Sequence, residues 1–462
     1  MGRTIIVEDR LEHYIGAVAS KKEYAIGLIF GQEISSQKSC VIHLARTPDR
    51  SSDEDEEIEE DDPVQTNGAK IKEIKDDFDE ELVLDHARQV MRSLPGGITI
   101  LGVFVVSDTE PFQNSAINNR LRKLLTSIDL IVGKSCMTIR HQLTCERIAL
   151  HVCNVTLKHT CKTVDIASAM SSTKPADWKY TNAAGSPWLE LHCTLNVEFF
   201  VGLSDSESSG ALSTQLEAAI DIYGKAVKNC ICLFDGRIIP DSELLDCSPA
   251  EKGSGRKKNK HSEIEERMKS IAIQPEVKQK KHEVTSDLRF GGQMCIKAYV
   301  HGKATVREAC DVIKEDVLRT LWARCDMHCD SLIGEEQRGK PDVRAVLHEP
   351  PRRVLAPLPF SPVSVSDYLF PGEGPADSLA SLADLLDLGA LLEGDVQDYW
   401  EAAAEVSDAV PEQESALLET SAASKRAVAA GSSNSRAILL SALVALLAIL
   451  FSYLTLQILR SN

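Results

Sequence analysis

The sequence predicts an α+β (or α/β) body that continues into one C-terminal transmembrane helix. Three stretches predict it. ITILGVFVV, Ile98 to Val106, is a continuous apolar run of the kind found in a strand buried on both faces. It lies between two helical patterns, Val83, Ala87, Val90, Met91 and Leu94 before it and Ile117, Leu121, Leu124, Leu125 and Ile128 after it. Each set recurs at three- and four-residue steps and so shares one helix face. Last, AILLSALVALLAILFSYLTLQIL, Ala437 to Leu459, carries no charge and is apolar all round. At about 1.5 Å per residue it is long enough to cross a hydrocarbon core of about 30 Å.

In chain order, Thr4 to Val7 is a β-branched run. Tyr24 to Phe30 and Cys40 to Ala45 read as a hairpin around the turn-prone Gly31 to Lys38. Ser51 to Asp62 is almost wholly acidic, and like charges repel, so an acidic disordered loop is expected over 49–77. Pro95-Gly96-Gly97 stops the first amphipathic helix. Strands are expected at Arg147 to Val155 and at Trp188 to Val201, which alternates. Pro175 to Tyr180 between them has no periodicity of its own. Gln215 to Val227 reads as a helix and Cys230 to Phe234 as a short strand. The stretch 248–287, with its Lys and Arg clusters and low hydropathy, reads as a disordered basic linker.

A second α/β region is expected over 288–400. It holds a strand at Cys295 to Val300 and a helix at Thr305 to Cys329. The helix buries Val306, Ala309, Ile313, Val317, Leu321 and Cys325 and is capped near Thr305. Pro350 to Pro359 reads as a proline-stiffened path, and Leu379, Leu382, Leu385 and Leu386 as a short helix. Residues 401–436 read as a flexible stalk to the membrane helix at 437–459, with 1–247 as the N-terminal α/β domain.

Composition narrows the function. The net charge of -18, from 51 basic against 69 acidic side chains, opposes general nucleic-acid binding, which needs clustered Lys and Arg. The opening MGRTIIVEDR holds no secretory signal, so a tail-anchored protein with a cytosolic body is expected. The 13 cysteines are scattered and odd in number, as reduced thiols are. Lys425, Arg426 and Arg436 precede the span and only Arg460 follows it, which keeps the positive excess on the cytosolic side.

No phosphate-binding glycine motif, H-E-x-x-H or paired C-x-x-C is present, and none of the 12 histidines stands in H-x-H spacing. Neither a cofactor nor a metal is expected, and the protein reads as a non-enzyme. Trp178 and Tyr180 are candidate partner anchors. Arg352 and Arg353 are candidates to clamp an acidic partner. A thiol enzyme and a purely structural membrane tether are the alternative readings.

A further set of segments is distinctive: Met1 to Thr4, Gly27 to Gln32, Ala45-Arg46-Thr47-Pro48, His86 to Val90 running into Leu94-Pro95-Gly96-Gly97, Gly102-Val103-Phe104, Pro175-Ala176-Asp177-Trp178-Lys179-Tyr180, and Pro351 to Val354 with Pro357-Leu358-Pro359. Together these resemble the ODR-four family, named for defective odorant-receptor localisation. The resemblance implies an endoplasmic-reticulum membrane protein that helps client membrane receptors reach their destination. It also implies pairing with the protease that processes the ubiquitin-fold modifier. The N-terminal region would then be an MPN-like β-α-β core without the metal motif, consistent with the missing histidine pair.

Overall fold

The computed structural model describes residues 2–49, 78–135, 145–168, 172–181, 188–203, 210–245, 268–276, 286–336, 348–359 and 361–402. All belong to one compact unit, Met1–Ala403. The acidic run, most of the basic stretch, the stalk beyond residue 402 and the span 437–459 lie outside the described residues. Among the described residues no helix is long and apolar enough to cross a membrane.

The first sheet is built from β1 (Thr4–Glu8), β2 (Ala25–Ser35), β3 (Lys38–Arg46), β4 (Thr99–Ser107), β5 (Glu146–Cys153), β6 (His159–Asp165), β7 (Lys174–Pro175) and β8 (Asp177–Thr181). Their order is β7-β6-β5-β4-β2-β3-β1-β8. A single residue, Ala176, separates the two end strands, β7 on β6 and β8 on β1. The Ala176 N–H donates to Cys161 O at 3.0 Å and the Asp177 N–H to Arg3 O at 2.9 Å. One short segment thus stitches both edges, so the sheet curls toward closure and has little open edge to manage.

Inside the curl sits α1 (Arg10–Ser20), its Leu11, Ile15, Val18 and Ala19 against Ile5, Val7, Ile29, Leu44, Phe104 and Leu150. On the outer face lie α2 (Glu80–Ser93) and α3 (Ser115–Ser135). Asp79 caps α2, its carboxylate accepting the Glu81 and Leu82 N–H groups at 3.0 and 3.3 Å. β4 is buried along its whole length because α1 covers one face and α2 and α3 the other.

The second sheet has the order β10-β11-β9-β12, from β9 (Trp188–Leu203), β10 (Leu233–Phe234), β11 (Met268–Ala272) and β12 (Ser286–His301). β9 and β12 pair antiparallel in unbroken register from Trp188↔His301 to Leu203↔Ser286. Two helices, α4 (Leu212–Asn229) and α5 (Val306–Glu336), cover one face. Thr305 and Glu308 form a reciprocal capping box at the start of α5. A two-stranded hairpin, β13 (Arg352–Pro357) and β14 (Ser364–Leu369), then leads into α6 (Pro375–Leu386), which packs on the outer core of the first sheet.

These pairings redraw the expected boundaries. β9 lies before the basic stretch and β12 after it, yet they form one ladder, so 1–247 and 288–400 are not separable bodies. The expected linker over 248–287 contains a strand, β11, parallel to β9. The expected flexible stalk does not begin at Glu401, which is 3% exposed and bonded inside the body. The expected proline path is a strand with a partner.

Candidate partner-binding residues and the polar junction

Arg353 does not clamp a partner. It is 1% exposed and forms a two-pronged ion pair with Asp316 of α5, at 2.6 and 3.1 Å. Its Nε donates to Ser366 Oγ at 2.8 Å and its Nη1 also to Cys295 O at 3.0 Å. A buried guanidinium needs that many acceptors to offset lost hydration. Its neighbour Arg352 points the other way, partly exposed, donating to Asp398 O at 2.7 Å. The pair is thus divided by strand alternation, one side chain in and one out.

Trp178 and Tyr180 also depart from expectation. The segment expected to lack periodicity is β8, whose residues alternate: Asp177, Lys179 and Thr181 are exposed while Trp178 and Tyr180 are half-buried. Both rings lean on the inner core. They meet edge to face at 6.3 Å, and His159 meets Tyr180 at 5.8 Å. Their first task is to close the curled sheet. What β8 offers outward is the charged and hydroxyl row Asp177, Lys179 and Thr181.

The Asp316 carboxylate does more than hold Arg353. It accepts the Gly96 N–H at 2.8 Å and the Lys297 N–H at 2.9 Å. One turn along α5, Arg319 donates to the carbonyls of Leu94 and Pro95, both at 2.9 Å, and of Ile98 at 3.1 Å, and pairs with Glu315. Gln32 of β2 donates to Gly97 O and Tyr299 O, each at 2.9 Å, and accepts the His301 N–H at 2.9 Å. Glu401 accepts from Cys295 N at 2.6 Å, Arg353 N at 2.8 Å and Arg324 at 2.6 Å.

Among the described residues, the outer edge of β12 therefore finds no strand along Cys295 to His301. It meets side chains and one loop, supplied by β2, the Leu94-to-Gly97 turn, α5, β13 and the end of the body. Buried backbone groups must be paired, and here five segments share the task. Only glycine fits the turn. A Cβ on Gly96 would stand 2.2 Å from Val312 O, and Gly97 has φ +83° with its Cβ position 2.1 Å from Tyr299 O.

A second buried set captures the end of α6. His43 of β3 donates from Nε2 to Leu386 O at 2.7 Å, and His86 of α2 to Leu385 O at 2.8 Å. Carbonyls only accept, so each Nε2 carries a hydrogen, and burial favours the neutral ring in both; Thr47 Oγ1, 3.1 Å from His86 Nδ1, then donates to it. Burial lowers both imidazole pKa values, His43 to about 4. Tyr14 donates to Asp387 at 2.8 Å, where the chain turns left-handed at φ +55°.

Ser107 and His151 stand 3.2 Å apart at the C-terminal ends of β4 and β5. However, the Ser107 hydroxyl donates to Thr109 O at 2.7 Å, and His151 Nε2 also faces Ser107 O at 3.3 Å, so the imidazole acts there as a donor. The proton a general base would take already has an acceptor. Among the described residues no group of three His, Cys, Asp or Glu side chains is placed to hold a metal ion.

Sequence motifs flagged the turn, Gln32 and Arg353 but not their common purpose, and they missed Asp316, Arg319 and Glu401. The available signal was charge within a buried helix: Glu315, Asp316 and Arg319 interrupt a run of core residues in α5.

The sequence matches the ODR4-like family (Odorant response abnormal 4-like) over residues 27–396. It is 31% identical over 398 residues to Protein odr-4 homolog of Homo sapiens, which covers 84% of this chain and 84% of that protein. The chain belongs to the ODR4-like family. The Mus musculus homolog is 30% identical over 398 residues, covering 84% of this chain and 83% of that protein. Odorant response abnormal protein 4 of Caenorhabditis elegans is 23% identical over 341 residues, covering 71% and 67%. Among solved structures, UfSP from C. elegans aligns at TM-score 0.39 and 9% identity over 84% of this chain and 57% of that one, too distant to carry an argument. In this ODR4-like chain the turn at 94–97, β8 and Arg353 all fall within the matched span.

Proposed function

We propose that the chain is a non-enzymatic, tail-anchored adaptor of the endoplasmic reticulum. Its body, held at the membrane by residues 437–459, supports the localisation of client receptors and recruits the ubiquitin-fold-modifier protease. Family membership is the observation that carries this reading. The family name refers to an abnormal odorant response, and the names of the relatives describe no catalysed reaction. We read the curled first sheet, with α1 inside and α2 and α3 outside, as the MPN-like core. The histidines His43, His86 and His151 support a metal-free version of it, each having a backbone carbonyl within hydrogen-bonding distance.

The exposed row of β8 is the proposed partner face, since Trp178 and Tyr180 hold the sheet closed behind it. Two measurements test the proposal together. Deleting 437–459 should move the protein from the membrane to the soluble fraction; a deletion variant still on membranes refutes anchoring by this span. Affinity isolation of the full chain should retain the protease, and Asp177→Lys with Lys179→Glu should reduce its recovery at unchanged thermal stability. Undiminished recovery removes β8 from the interface.

A further inference from the structure

The ladder between β9 and β12 decides which backbone groups of β12 point outward. The N–H groups of Cys295, Lys297, Tyr299 and His301 bond to Glu401, Asp316, Gly96 O and Gln32, and so face away from β9. The register with β9 is unbroken, so the same alternation turns the N–H and C=O groups of Gly291 and Gln293 outward. Both residues are exposed, and among the described residues no strand lies along this side of β12. Side chains and one loop cover the second half of the edge. The first half keeps the pairing capacity of a strand.

The side chains beside this first half are self-complementary. On the helix-covered face Tyr223, Phe199 and Phe290 form one stack, with ring centroids 4.3 and 4.4 Å apart and planes 10° and 5° from parallel. Phe290, at the β12 end of the stack, is only partly buried. Two residues on, Gly292 has φ +143°, and a Cβ there would meet nothing within 4 Å. The stretch thus holds both an aromatic ring and a bare glycine of the kind such a ring covers from a neighbouring strand. On the opposite face Arg289 lies over the Phe200 ring at 5.0 Å, and Gln293 donates to Asn196 Oδ1 at 3.4 Å.

We propose that this edge is a homodimer interface, in which β12 pairs antiparallel with β12 of a second copy about a two-fold axis at Gly291. Pairing about that axis sets Gly291 against Gly291 of the other copy, Phe290 against Gly292 and Arg289 against Gln293. The outward backbone groups join the two sheets into one. Each Phe290 covers the other copy's Gly292, and the two aromatic stacks approach diagonally across the axis. One short stretch carries both halves of every contact, as an isologous interface requires; a foreign strand would have to match it with a sequence of its own.

Sedimentation equilibrium of the full chain in density-matched detergent tests the proposal. The wild type should be a dimer that dissociates on dilution, and the Gly291 and Gln293 amides should exchange more slowly in the dimer. Gln293→Pro removes an outward N–H and no bond of the ladder to β9, so it should give a monomer with an unchanged melting temperature. Gln293→Lys sets a cation against Arg289 twice, once on each side of the axis, and should weaken the dimer roughly tenfold, whereas Gln293→Glu should tighten it. A wild type that stays monomeric overturns the proposal. So does a dimer indifferent to Gln293→Pro and Gln293→Lys, which would place the contact elsewhere, for example in 437–459. Amide protection that does not change with protein concentration would mean that the chain's own residues cover the edge, and overturns it equally.

Discussion

At the scale of single residues, one carboxylate and two imidazoles hold much of the body in register. Asp316 is fully buried and answers an arginine and two backbone N–H groups at once. Removing one partner leaves a charge in a dry site, so Arg353→Met should cost roughly 3–5 kcal/mol in urea unfolding, more than the side chain's apolar stem recovers. A loss under about 1 kcal/mol would mean that the pair is dispensable. His43 gives a pH signature. Burial lowers its folded pKa to about 4, against 6.5 ordinarily, and Arg10 pushes the same way. A lowered pKa means the folded state prefers the neutral ring. Its contribution is complete above pH 6.5 and is lost as pH falls through about 4. The loss over that window is on the order of 3 kcal/mol. His43→Gln, which can still donate to Leu386 O, should flatten the slope of stability against pH between 6.5 and 4. His86, lowered in the same direction, preserves part of it. An unchanged slope would show that His43 does not titrate with folding.

Whole elements owe their positions to close backbone approach. The turn at 94–97 enters the edge of β12 because glycine lets it: Gly96 N–H reaches Lys297 O at 3.2 Å and Tyr299 N–H reaches Gly96 O at 2.9 Å. Gly97→Ala adds a methyl 2.1 Å from Tyr299 O in a left-handed conformation. The turn must withdraw, and the Tyr299 amide should exchange with solvent at least about tenfold faster while the inner core around α1 stays protected. Uniform exchange change across both sheets would show that the turn is no local latch. This level was partly legible. α2, α3, α4, α5 and α6 were readable because each has an apolar stripe at helical spacing. β4 was readable because both its faces are apolar. β6 was missed, since HTCKTVD is polar and only half covered, and β14 was missed because SVSDYL buries Ser364, Ser366 and Asp367. β12 was read as six residues instead of 16 because Gly291, Gly292 and Gln293 break its pattern. The candidate site was least legible: whether an arginine after prolines faces solvent or Asp316 depends on a helix residue 37 positions away.

For the molecule as a whole, the order of strands decides where the chain can be cut. A fragment ending at 247 contains all of the first sheet but leaves β9 without β12 and α4 without α5, exposing Leu189, Leu191, Leu195, Val197 and Phe199. Such an uncovered apolar strand drives association, so this fragment should be recovered as aggregate. The natural end of the body lies instead at Glu401. Gln397 exchanges two backbone bonds with Leu355, at 3.2 and 2.7 Å, and Trp400 rests 4.8 Å from the His192 ring. Glu401 then completes the β12 edge. A chain ending at 402 keeps all of these contacts. One ending at 395 leaves Arg324, Cys295 N–H and Arg353 N–H facing a vacated groove. Each buried group left without a partner costs about 1–3 kcal/mol, so the shorter chain should melt well below the longer one, by more than about 5 °C. Adding Glu401→Gln to the longer chain should reproduce much of that drop, because the Cys295 and Arg353 N–H groups bond to different carboxylate oxygens, an amide keeps only one acceptor oxygen, and it no longer balances Arg324. Equal melting of chains ending at 395 and 402 would place the end of the body before Gln397 and remove Glu401 from the junction.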